Sequence, residues 1–98
     1  MDVTVTHQED RHRYEAHADG AVVGVLDYRP AGDPPGSIAV FTHTGVPPQH
    51  EGRGIAARLV REALDDMRRQ DRRIVPACSY VAAWVQRHAE EYGDLVAR

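Results

Sequence analysis

Six consecutive residues, Gln49-His50-Glu51-Gly52-Arg53-Gly54, stand between a stretch that reads as a strand and one that reads as a helix. That setting makes a seat for an anion. The first amides of a helix lack internal partners, their summed dipole favours negative charge, and glycines let a phosphate come close to the backbone. Arg53 can add a charge-assisted contact. The loop is not a P-loop, because the lysine–serine/threonine pair is missing. It is not the dinucleotide fingerprint either, because its glycine spacing differs and the strand before it does not open a βαβ unit. The bland alternative is a strand–helix turn that merely tolerates glycine.

Three other side chains could do chemistry. Cys78 stands just before the amides that open the last helix, whose field lowers a thiol pKa and favours the nucleophilic thiolate. It could equally be a small buried thiol packing the core. His43, on a strand, titrates in the range useful to a general base, or is a histidine satisfied by a backbone carbonyl. Tyr80 could protonate a leaving group or simply have its hydroxyl satisfied at a rim. His7, His12 and His17 suggest a metal site at first glance, but residues 12 and 17 have opposite strand parity and no thiolate or carboxylate pattern accompanies them, so no metal is expected. Trp84 reads as core. The pairs Arg68-Arg69 and Arg72-Arg73 read as a solvated helix end.

The elements that must hold these groups follow from the pattern. Val3 to Thr6 alternates like an edge strand. His7 to Asp10 turns the chain into a strand over Arg11–His17, and Asp19-Gly20 is a hairpin signal leading into Ala21–Tyr28. Arg29 to Gly36, with three prolines and two glycines, reads as a loop. Ser37 to Val46 reads as a central strand, closed by Pro47-Pro48. From Gly54 the period changes: Ile55, Ala56, Leu59, Val60, Ala63 and Met67 share one helical face. Arg73 to Cys78 is a short strand. Ser79 is placed to cap a final helix from Tyr80 to Tyr92, with Val81, Trp84, Val85 and His88 inward and Gly93 as its stop. The order β-β-β-(β)-α-β-α predicts an α+β fold with a mixed sheet and two main helices. The strands flanking the first helix become parallel neighbours through a right-handed crossover.

A chain of 98 residues fits one domain spanning 1–98. A net charge of −3 provides no basic excess to draw in a nucleic acid. All 12 lysine-plus-arginine positions are arginine, which excludes a lysine nucleophile or Schiff base. The single cysteine excludes a disulfide-stapled scaffold. The first residues lack a basic region followed by an apolar run, and no apolar stretch approaches a membrane span, so a cytoplasmic protein without a membrane partner is expected. Exposed strand edges allow a monomer or a weak dimer.

At Gln49, Gly52 and Gly54 the chain resembles the GNAT (general-control-type N-acetyltransferase) superfamily, whose signature at a strand–helix junction is Gln/Arg-x-x-Gly-x-Gly/Ala. Over roughly residues 3 to 96 it is similar to the small, single-domain predicted acetyltransferases described as YjdJ-like or NATD1-like. Phe41-Thr42-His43-Thr44, Val46-Pro47, Gly54-Ile55-Ala56, Pro76-Ala77-Cys78 and Arg87-His88-Ala89-Glu90-Glu91-Tyr92 carry that likeness.

The resemblance implies a minimal acyl-CoA N-acyltransferase fold and a site for acetyl-coenzyme A. Gln49, His50, Glu51, Gly52, Arg53, Gly54, Ile55 and Ala56 would hold its diphosphate. Thr44, Gly45 and Val46 would pair with its pantetheine arm, and two parallel strands would splay around the thioester. Acetyl transfer to an amine then implies a base, an acid and an oxyanion donor. Close relatives often carry an acidic residue after His-Thr, where this chain has Gly45. The candidates left are His43 as base, Tyr80 as acid and Cys78 as an acetyl acceptor that passes the group on. Larger members add N-terminal helices and two last strands around the acceptor, which this chain lacks. The expected activity is transfer of acetyl from acetyl-coenzyme A to an unidentified amine. The alternative is an acyl-coenzyme A-binding sensor or interaction module without turnover.

Overall fold

The computed structural model describes residues 2–97. Five strands form one sheet in the order β1-β2-β3-β4-β5. They are β1 (Thr4–Gln8), β2 (Arg13–Ala18), β3 (Ala21–Ala31), β4 (Ile38–Gly45) and β5 (Arg73–Pro76). The first four are antiparallel neighbours, and β5 joins β4 in parallel across the helix α1 (Ile55–Arg69). The expected mixed sheet and element order are therefore present.

Local chemistry explains the departures. His7 and Gln8 extend β1, so the turn into β2 is the single 3-10 turn Glu9–Arg11, with His12 left-handed at φ 52. The segment Arg29–Ala31, expected as loop, continues β3, with Pro30 opposite Ala39. This is tolerable because β2 ends opposite Asp27, so from Arg29 onward the far side of β3 has no neighbour that needs the missing N–H. The last helix is broken into α2 (Ser79–Arg87) and α3 (Ala89–Tyr92). His88 causes the break. Its ring stacks on Trp84 at 3.9 Å, and its Nδ1–H donates to the Trp84 carbonyl at 2.7 Å, turning the residue out of helical geometry at φ −117. Ser79 is the first helical residue and Cys78 the cap, so the expected serine cap does not form.

Both long helices cover the same face of the sheet. Tyr14, Leu26 and Phe41 from the strands join Leu59, Leu64 and Met67 of α1 and Val81, Trp84 and Val85 of α2 in one core. Ile55 and Leu59 press against Gly24, where a side chain would collide with them. Tyr92 ties the C-terminal segment to α1 by donating to Asp65 at 2.7 Å.

The opposite face is bare of helices and is built in cross-strand rows. Gln8, Arg13, Asp27 and His43 face one another along one row, and Thr6, Glu15, Val25 and Gly45 along the next. Beyond them stand Thr4, His17 and Val22. Among the described residues no helix is long and apolar enough to cross a membrane.

Candidate functional site

After β4, Pro47 and Pro48 lead into a 3-10 turn, Pro48–His50, closed by His50 N–H to Pro47 O at 2.9 Å. Gly52 and Gly54 then take left-handed φ of 80° and 75°, which a residue with a Cβ adopts only at a cost. A Cβ at either would meet nothing within 4 Å, so this stretch of backbone faces open space. Gly54 caps α1 without a side chain, and the first helical bond runs from Arg58 N–H to Gly54 O at 3.0 Å. The amides of Ile55, Ala56 and Ala57 are consequently left without helical partners.

These amides border a cavity of about 210 Å³, also lined by His50, Glu51, Gly52 and Tyr80. Within the lining residue His50, Nδ1 is buried with no hydrogen-bond partner among the described residues. Buried polar atoms rarely stay unpaired. Unpaired amides at a dipole's positive end and two glycines whose Cβ positions are empty fit a diphosphate, with the exposed Glu51 the lining residue whose charge opposes it.

Beside the loop the sheet opens. β4 and β5 pair from Ile38–Arg73 to Phe41–Pro76, and Cys78 N–H to Phe41 O at 2.8 Å is the last main-chain bond between the two segments before they part. Beyond that point β4 keeps β3 on one side, while on the other Thr44 and Gly45 have no strand partner, which leaves a gap in the ladder. At the head of this gap stands Cys78, half-buried, with Sγ 3.5 Å from Thr44 Oγ1. Burial pushes the thiol pKa up. Hydrogen bonds from the Thr44 hydroxyl and from the amides of Val81, Tyr80 and Thr44 outweigh it and leave the pKa below its ordinary value. A thiolate held this way is a nucleophile.

Some of the sequence candidates converge and others do not. Cys78 and Thr44 meet on the helix-covered side, with Tyr80 one helical step away on the wall of the loop cavity. His43 is on the bare face, exposed, its Nε2 lying over Gly45 at 2.9 Å from where a Cβ would be. Strand alternation accounts for this split: His43 and Thr44 are neighbours in sequence and so point to opposite faces. His43 is therefore neither a buried, carbonyl-bonded histidine nor a partner of Cys78.

In the loop, Gln49, Glu51 and Arg53 are exposed, and Ile55 is 3% exposed, its side chain committed to the core, so only its amide faces the cavity. Val46 is partly buried against the core and lines the loop cavity. Sequence reasoning missed the hydroxyl of Thr44 as the thiol's partner and the orphaned nitrogen of His50. Plain alternation from Phe41 would put Thr44 on the bare face; only the bulge at Thr42, where Phe41 and His43 take successive partners on β3, returns it to the helix-covered side. Arg68, Arg72 and Arg73 gather at the opposite end of the molecule, around Asp94 and Gly36 O. Among the described residues no group of three or more His, Cys, Asp or Glu is placed to hold a metal ion.

Residues 13–95 match the model of a family described as GCN5-related N-acetyl-transferase. No curated protein sequence matches the chain. Among solved structures, it is similar to the NMR structure of a GCN5-like protein from Staphylococcus aureus, with a TM-score of 0.70 at 17% identity, over 96% of this chain and 87% of that one. It is also similar to a ribosomal-protein-alanine N-acetyltransferase from Brucella melitensis biovar Abortus 2308, with a TM-score of 0.59 at 17% identity, over 99% of this chain and 91% of that one. At such identities the structures speak for the fold, and the family match speaks for the rest. The glycine loop, the parted strands and this match place the chain in the GCN5-related N-acetyltransferase family, whose members use acetyl-coenzyme A as acyl donor.

Proposed function

We propose that this chain is a small, single-domain cytoplasmic N-acetyltransferase of the YjdJ-like kind, acting as a monomer or weak dimer. It would take acetyl from acetyl-coenzyme A and pass it to an amine by way of Cys78. The observation that carries the reading is the gap opened where β4 parts from β5, with the Cys78 thiol at its head beside Thr44 Oγ1.

The diphosphate would rest on the amides of Ile55 to Ala57 and on the backbone of Gly52 and Gly54, with His50 Nδ1 as a further partner. The pantetheine arm would lie along the open edge of Thr44 to Val46, directing the thioester at Cys78. The Cys78 thiolate attacks the acetyl carbon, and the bond from that carbon to the coenzyme sulfur breaks. The leaving sulfur keeps the electron pair and takes a proton, for which Tyr80 is the candidate donor at this site. An amine nitrogen then attacks the acetyl group on Cys78. The carbon–sulfur bond breaks, the Cys78 thiolate is restored, and the amine's proton passes to His43, reached through the gap.

Intact-mass measurement after incubation with acetyl-coenzyme A tests this directly. One acetyl group should appear on Cys78 in the natural chain and none in Cys78→Ala, which should still bind coenzyme A. An unmodified natural chain removes the cysteine route.

One observation favours the sensor reading. His43 and Cys78 lie on opposite sides of β4, and Gly45 supplies no carboxylate base between them. A module that binds acyl-coenzyme A without turnover needs the loop and the gap but no convergence of these groups. Measuring coenzyme A thiol release across a panel of amines separates the two, since a sensor releases none above the rate of hydrolysis.

A further inference from the structure

A second cavity, of about 340 Å³, lies where β3 and β4 face each other at the Gly45 end, bounded by Val22, Gly24, Val25, Gly45, Val46 and Pro47. None of these side chains is charged or polar. Val22, 45% exposed, is the only large apolar side chain left so open among the described residues. Val46 is shared with the cavity of the glycine loop, so the two lie on either side of one residue. The His43 ring lies over Gly45, at the border of this cavity and next to the gap between β4 and β5. An apolar hollow, an imidazole and the stretch of β4 that has lost its β5 partner thus adjoin at the end of β4.

The surrounding charges narrow what could sit there. Asp27 and Glu15 stand in the two rows that end at His43 and Gly45, but Arg13 bridges both, at 2.9 Å from Asp27 and 3.7 Å from Glu15, and Arg11 adds a second cation at 3.5 Å from Glu15. The rows carry two carboxylates and one arginine, and Arg11 from the neighbouring turn brings the balance to two of each, so they exert no strong pull on a polycation. Selection by charge is therefore weak, and selection by apolar fit is what the walls offer. The volume is at the small end of ligand pockets, enough for a single small molecule or one side chain.

We propose that this cavity seats the apolar substituent of a small monoamine acceptor, holding its nitrogen beside His43 at the mouth of the gap. The proposal rests on the acetyl-transfer reading above and adds the substrate class to it. The amine would give one proton to His43, its nitrogen would bond to the acetyl carbon, and the carbon–sulfur bond would break with the electron pair going to sulfur. Polyamines and lysine-rich tails would be poor acceptors. Gly45 belongs to the same design, since a side chain there would displace the imidazole and fill the hollow.

The test is a titration of the isotope-labelled full chain, saturated with coenzyme A, by straight-chain amines from n-propylamine to n-hexylamine and by putrescine. Amide shifts at Val22, Val25, Gly45 and Val46 should report binding. Affinity should rise by about fourfold per added methylene until the cavity is full, and putrescine should bind at least tenfold more weakly than n-pentylamine. Val22→Asp, at an exposed position, should weaken n-pentylamine at least tenfold and leave coenzyme A affinity unchanged. A flat alkylamine series, shifts elsewhere, or a preference for putrescine overturns the proposal. So do amine-free shifts at Val22 and Val25 that grow with protein concentration, which would show a second copy of the chain on this face. The series is repeated without coenzyme. Failure of coenzyme A to shift Gly52 to Ala57 would count against the acetyl-transfer reading, whereas the alkylamine series reads the cavity by itself.

Discussion

Two polar clusters flank α1, and they are built on opposite rules. Along its second half, His7, Tyr14, Tyr28 and Asp66 form a closed set. His7 Nε2 meets Tyr28 Oη at 2.7 Å, its Nδ1 lies 3.1 Å from Asp66 Oδ2, and Tyr14 donates to the same oxygen at 2.7 Å while its ring stacks on His7. Gln70 and Arg69 complete the shell of Asp66. Every member has a partner inside the protein, which is how a buried polar network contributes to stability. At the other end of α1, the helix amides lack partners, two loop glycines sit at positive φ and His50 Nδ1 is orphaned. Satisfied polarity marks structure here, and unsatisfied polarity marks a place prepared for something else.

The contrast is broken most sharply at Gly52. Gly52→Val meets no steric obstacle in the folded chain, so its effect must come from φ 80°, which a β-branched residue resists by about 1–3 kcal/mol. If the loop amides hold the coenzyme, the loop relaxes away from its binding shape and coenzyme A affinity falls by about tenfold to a hundredfold in calorimetry. The thermal midpoint should move little, since the loop is exposed. Unchanged affinity would show that the loop is a turn and nothing more.

The reciprocal experiment is Tyr14→Phe. It removes a hydrogen bond to a charged acceptor from a residue 2% exposed, at an expected cost of about 1.5–3 kcal/mol in urea unfolding. Coenzyme A affinity should stay within twofold. A stable Tyr14→Phe chain that has lost coenzyme binding would reverse the roles assigned to the two ends.

How much of this the sequence disclosed follows the same division. The hairpin at Asp19-Gly20, the crossover helix and the glycine loop were legible because each depends on short-range rules of turn chemistry, periodicity and capping. The closed cluster was not, because His7 and Asp66 lie in separate elements and only the sheet register brings them together. The extension of β3 through Pro30 was missed because local composition outweighed the fact that β2 stops short. The broken last helix was missed because the 3.6-residue period continues through His88 while its side chain competes for the Trp84 carbonyl. In the candidate site, Cys78 at a helix start was readable, but its hydroxyl partner was hidden by the bulge at Thr42, which reverses the face that alternation from Phe41 would give Thr44.

Acid should loosen the closed cluster before it disturbs the loop. Burial, opposed by Asp66 and Glu9, holds the His7 pKa below its ordinary 6.5. The unfolded chain therefore takes up a proton first, and stability, complete above about pH 6.5, declines as pH falls below it. For Asp66, burial raises the pKa, but hydrogen bonds from Tyr14 and Gln70 and the charges of His7 and Arg69 outweigh it, leaving the carboxyl below its ordinary 3.8. Its contribution is present above that value and lost at lower pH as the folded group takes its proton. Urea midpoints measured between pH 8 and pH 5 should fall in the natural chain and fall less in His7→Gln. Parallel curves would show that His7 carries no proton linkage.

The smallest change isolates the thiol. Thr44→Val keeps nearly the same volume and strand preference but removes the hydroxyl 3.5 Å from Cys78 Sγ. Burial, which raises the thiol pKa, would then be opposed only by the amides of Val81, Tyr80 and Thr44. The Cys78 pKa should rise, and the pH profile of alkylation by iodoacetamide should shift to higher pH with the plateau rate preserved. Coenzyme A affinity should hold, because the main-chain edge of β4 is untouched. An unshifted profile would mean that the helix amides alone set the thiol. Cys78 would then owe its reactivity to its position as the cap of α2, and the facing strand would serve only to wall the gap.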